Sequence, residues 1–270
     1  MEERPFCFNV FWGDEKKRPH VEFSRRGSHY CIYCGAKSDS REHCPSKVFL
    51  SKPYPDNLPV LPACIKCNNG FSEDESFVAQ YIDSLMLISG ERLFPDNNVE
   101  NSGLSGNAFT QAKKDWEEYL SSGEFPKNCR IMRILTKLTI GHMVYELSEG
   151  YENDGNDLEL ESIEYKFSFQ MSKVERAFYD RFVSMSDKVL PELGSRIFDR
   201  IYAIEAVPKH TCSPIQIRTP IVVMDWNDIQ IGRYSYIAWI ERNGNFHVKI
   251  KINNFLFSHL LFSQMSSFGN

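Results

Sequence analysis

Apolar and polar positions change period along this chain, and each change predicts an element. Phe77, Val78, Tyr81, Ile82, Leu85 and Met86 recur at steps of three and four, the spacing of an amphipathic helix. Ser72-Glu73-Asp74-Glu75 just ahead has the S-x-x-E form of a capping box, so the helix is predicted to start near Ser72. Residues 95 to 107 are rich in turn formers and read as a linker. A polar helix is expected over 108–121. Residues 130–147 are apolar at nearly every helical phase and predict a helix buried on most sides, with His142 as a core residue on it. Another helix is expected from Lys173 to Leu190, before Pro191.

Beyond Pro191 the pattern turns to strands. Ile197 to Val207 and Ile221 to Trp226 are β-branched and aromatic. Arg233–Glu241 and Phe246–Ile252 flank Asn243-Gly244, a strong hairpin signal with an expected type I′ turn. That turn puts Phe246, Val248 and Ile250 on one face with Trp239 and Ile237. His247, Lys249 and Lys251 then lie on the other. No internal repeat and no phosphate-binding glycine motif is present.

Between residues 28 and 90 the cysteines carry the pattern. Four of the eight fall in two pairs, Cys31-Ile-Tyr-Cys34 and Cys64-Ile-Lys-Cys67. Two residues between thiols let both sulfurs of one turn reach a metal, so these four predict a closed, structural zinc site. A simple zinc ribbon needs only a short hairpin between its pairs. Here about thirty residues intervene, carrying Arg41-Glu42-His43-Cys44-Pro45 and an isolated Asn57.

The run CIYCG…REHCPSK…DNLPVLPACIKCNNGFSEDE resembles the four-cysteine branch of the HNH endonucleases, over about residues 28 to 90. That family's active unit is a ββα-metal finger. The resemblance implies His43 as the general base and Asn57 as the residue that orients it. It implies Glu42 and Asn68 as ligands of a catalytic Mg²⁺ or Mn²⁺, with Glu75 as a further ligand. Glu42 stands where the wider family more often has Asp, and Asn68 replaces the final histidine of the motif. Cys44, without a CxxC partner, reads as a small packed residue, and Pro45 as fixing the chain after the histidine.

Charge refines this picture. The formal net charge is −5, against a protein that coats nucleic acid by bulk charge. Yet Lys16, Lys17, Arg18, Arg25 and Arg26 cluster ahead of the first cysteine pair, and Lys47 and Lys66 lie within the finger. These are the candidate phosphate contacts. No apolar run approaches the roughly 20 residues of a membrane helix, and the polar N-terminus has no signal-peptide pattern. The expected location is therefore cytoplasmic, where paired cysteines favour metal over disulfide.

The expectation is an α+β protein: a lead-in over 1–27, an HNH finger over 28–94, and a mixed helical and antiparallel-sheet C-terminal domain over 108–270. The implied function is metal-dependent hydrolysis of phosphodiester bonds in nucleic acid, DNA before RNA, as in restriction or anti-phage defence. Two alternatives stand beside it. One is a non-catalytic zinc-finger adaptor binding nucleic acid or protein. The other is a nuclease active only with a partner ATPase or sensor protein.

Overall fold

The computed structural model describes residues 29–56, 58–91, 106–147, 158–191, 195–206 and 219–264. Its first unit is a hairpin and a helix. Strands β1 (Ser40–His43) and β2 (Val60–Ala63) pair antiparallel, Glu42 opposite Leu61 and His43 opposite Val60. Helix α1 (Ile65–Ile88) follows at once. It starts seven residues before Ser72. Its N-cap is Cys64, whose sulfur accepts the Cys67 N–H, and Asp39 accepts the Ile65 N–H at 2.7 Å. Ser72 and Glu75 therefore sit inside the helix, and the capping-box reading is corrected: Cys64 performs the capping.

Helices α2 (Asn107–Ser122) and α3 (Cys129–Leu147) come next, close to the predicted bounds. α2 ends on Gly123, left-handed at φ +77°, a common helix stop. Strand β3 (Leu158–Phe167) then leads to α4 (Lys173–Tyr179), a single short helix where a long one was expected. Past Asp180 the chain turns extended, as β4 (Val183–Ser184) and β5 (Lys188–Val189).

The remaining strands are β6 (Ile201–Ala206), β7 (Thr219–Met224), β8 (Asn227–Gln230), β9 (Tyr234–Glu241), β10 (Phe246–Ile252) and β11 (Leu256–Gln264). The larger sheet runs β3-β11-β10-β9-β5, with β8 also on β9; the smaller runs β4-β7-β6. Every pairing is antiparallel. β3 and β11 were not foreseen. β3 alternates charged and apolar residues as an edge strand does.

The β9–β10 hairpin differs from its prediction by one residue. The loop is Arg242-Asn243-Gly244, closed by Glu241 N–H to the Asn245 carbonyl at 2.9 Å, and Gly244 has φ +88°. A three-residue loop shifts the pairing by one, which moves every side chain of one strand to the opposite face. Trp239 and Ile237 thus share the face of His247 and Lys249, and the Trp239 and His247 rings stack at 4.8 Å. The opposite face, with Tyr234, Tyr236, Phe246, Val248 and Ile250, packs on α3.

One hydrophobic core spans both halves of the chain. Phe49, Val78, Tyr81, Ile82 and Leu85 join Ile131, Ile134 and Leu138 of α3 and the β9–β11 strands in a single cluster. No helix among the described residues is long and apolar enough to cross a membrane.

Candidate functional site

Two turns bring the cysteines together. Cys31 N–H bonds the Ala36 carbonyl at 2.7 Å and Gly35 N–H returns to Cys31 at 2.9 Å, with Gly35 left-handed at φ +68°. The second pair sits on the first turn of α1. The four sulfurs lie within 4.8 Å of one another. Cys34 Sγ and Cys64 Sγ are 3.7 Å apart, against an edge of about 3.8 Å for a tetrahedron of zinc–sulfur bonds near 2.3 Å. The Cys67 N–H beside Cys64 lowers the Cys64 thiol to about 7, while burial pushes the Cys31 and Cys67 thiols up. This cluster can hold a metal ion such as zinc. Four sulfurs leave no open position, so the ion's work is to pin the hairpin to the helix start.

His43 ends β1, and Cys44 N–H closes the strand onto the Pro59 carbonyl at 3.0 Å. The imidazole is half-buried, and burial, then the charge of Lys47, lower its pKa. Its Nδ1 is buried with no hydrogen-bond partner among the described residues. Strand alternation separates His43 from its neighbour. Glu42 points inward and is only 6% exposed, while Arg41 and His43 project from the other side.

Glu42 meets groups from three elements. Lys137 of α3, 2% exposed, places its Nζ 3.0 Å from Glu42 Oε1 and 2.9 Å from Ser46 Oγ, and bonds Glu75 Oε1 of α1 as well. The Ser46 hydroxyl is within reach of both carboxylates. Burial raises the Glu42 pKa and the Lys137 charge opposes it. Glu42 Oε2 stays buried without a partner. Glu42 and Glu75, which the resemblance implies as ligands, are thus brought together, but around an ammonium. Asn68 lies a helix turn after Cys64; its Nδ2 donates to Ser40 Oγ at 2.8 Å and the Arg41 carbonyl at 3.1 Å. It staples the helix start to β1.

Cys44 is packed, as expected, and it carries more than packing. Its sulfur is 3.6 Å from His142 Nδ1, and His142 Nε2 is 2.8 Å from the Tyr234 hydroxyl. Burial, then Arg196, hold His142 down to about 3, and burial pushes the Cys44 thiol well up. A neutral imidazole so links the strand end at His43 to α3 and the central sheet. The Cys44–Pro45 peptide is cis.

Lys47 and Lys66 are exposed, Lys66 on the first turn of α1. Lys16, Lys17, Arg18, Arg25, Arg26 and Asn57 lie outside the described residues. Lys137 was missed by the sequence reading. The available signal was an ionisable residue inside an otherwise buried helix, which must find a partner. The chain matches no protein-family model, no curated protein and no solved structure.

Proposed function

We propose that this protein is an endonuclease of the HNH type, hydrolysing phosphodiester bonds in DNA, with its hairpin–helix unit held by a structural zinc. The observation that carries the reading is the β1–β2–α1 order with four thiols clustered at its base and a half-buried histidine at the strand end. His43, kept neutral by burial and by Lys47, accepts a proton from the attacking water. Arg41, on the same side of β1, and Lys47 contact phosphate. Defence against foreign DNA is the biological setting that the resemblance implies.

The resemblance also implies Mg²⁺ or Mn²⁺ on Glu42, Asn68 and Glu75. These residues do not form an open cation site in this arrangement. Both carboxylates already hold the Lys137 ammonium, and the Asn68 amide is bonded to β1. That observation favours a second reading, a nuclease active only when a partner ATPase or sensor protein engages it.

The test is plasmid nicking by purified protein with Mg²⁺ or Mn²⁺, alone and with the products of neighbouring genes. Wild type is expected to nick and His43→Ala to lose roughly 10²–10⁴-fold, with zinc content and fold retained. Equal nicking by His43→Ala rejects the assignment of the base. Nucleic-acid binding without cleavage under every condition supports the non-catalytic adaptor instead.

A further inference from the structure

We infer that Lys137 is a built-in counter-cation that keeps the Glu42–Glu75 pair closed to divalent metal ions. The carboxylates become a metal-binding site only once its ammonium is gone.

The geometry is a saturated tripod. An ammonium has three protons and no acceptor, and Lys137 Nζ has three oxygens in reach: Glu42 Oε1, Glu75 Oε1 and Ser46 Oγ. Its side chain is only 1% exposed. Burying such a charge is unfavourable unless it is paired and hydrogen-bonded, and here every donor is used.

Taken without the lysine, the same atoms describe a different site. Two carboxylates and a hydroxyl converge, all hard oxygen donors of the kind Mg²⁺ and Mn²⁺ take. Glu42 Oε2 is a fourth oxygen, buried and unpartnered. An acidic pair alone would say nothing. This pair is distinguished by the spare buried oxygen and by a cation already seated on it. A divalent ion must displace the ammonium or settle beside it against like charge. In the nuclease reading, on which this last link rests, these carboxylates could hold a divalent ion only if the ammonium first left them.

The experiment titrates the zinc-loaded full chain with Mn²⁺ alone, following free Mn²⁺ by electron paramagnetic resonance. Wild type is expected to bind Mn²⁺ more weakly than about 1 mM. Lys137→Met is expected to bind at least tenfold tighter, and Glu75→Gln on that background to lose the gain. Lys137→Gln, which keeps donors for the carboxylates, serves if the methionine variant does not fold. A rise in Tm with Mn²⁺ in either variant, absent in wild type, reads the same site. Wild type binding as tightly as the variants, or no gain in either, overturns the inference. Wild type that never nicks DNA in any condition rejects the nuclease reading instead, and the Mn²⁺ gain is judged separately from it.

Discussion

Two histidines in this protein show how burial decides what a proton does. His43 is half-buried beside Lys47, both of which disfavour its charged form. A base must be neutral, so its acid limit moves below the ordinary value of about 6.5. The expected pH profile of kcat/KM for plasmid nicking falls on the acid side with a midpoint under 6.5. Lys47→Gln should move that midpoint up, since it removes one of the two causes; an unmoved midpoint would detach the profile from His43. His142 tells on stability. The unfolded chain protonates it near 6.5 and the folded protein only near 3. Between those values the unfolded state binds the extra proton, so stability is lost as pH falls through that window, by up to about 1.4 kcal/mol per unit. Urea titrations from pH 7 to 4 should show a shallower fall for His142→Gln than for wild type. The cysteine cluster was legible because the spacing of its pairs carries its chemistry. Lys137 was not, because its meaning depends on two carboxylates 62 and 95 positions away in the chain.

At the scale of elements, the hairpin–helix unit is built around Cys64. That residue is one of the four clustered thiols and the N-cap of α1 at once. Cys64→Ser keeps a capping hydroxyl but removes a thiolate, which separates the two roles. The expected result is loss of zinc together with loss of amide protection over β1, β2 and the first turns of α1, read by elemental analysis and hydrogen exchange. Retained protection without zinc would make the cap, not the metal, the main support. Several elements were legible for local reasons: the body of α1 by its period, α3 by its apolar run, β9 and β10 by the turn residues between them. The errors share a cause, a local rule overruled by a neighbour. Ser72 makes a good capping box, but Cys64 and Asp39 had already started the helix. Asn243-Gly244 marks a turn, yet the loop takes Arg242 too, and the inner and outer faces of one strand exchange. The register that decided this lies in the pairing of whole strands.

Over the whole molecule, the expected division into a finger and a separate C-terminal domain meets a continuous core. Phe49, Val78, Tyr81 and Leu85 bury themselves against α3 and the sheet. The Tyr81 hydroxyl adds a bond to Asp115 of α2 at 2.5 Å, and Arg130 reaches Asp74 at 3.4 Å. A fragment of residues 28–94 leaves these apolar side chains in water. It should bind zinc yet show no cooperative thermal transition by circular dichroism, whereas the full chain melts as one unit. A cooperative, stable fragment would show that the zinc unit folds unaided.

Helix α3 is where the two halves meet, and it is committed on both sides. Lys137 and His142 answer to the hairpin and to Cys44; Glu146 receives the Tyr236 and Ser195 hydroxyls from the strand side. Even Gly141 has no slack, because a β-carbon there would lie 2.8 Å from Cys44 Sγ. A helix with one free face can drift in sequence and keep its job, as α2 with its many exposed positions can. α3 has no such latitude. Any change that suits the sheet must also suit the hairpin, so substitutions should be tolerated least in a helix that carries neither the cysteine cluster nor the proposed base.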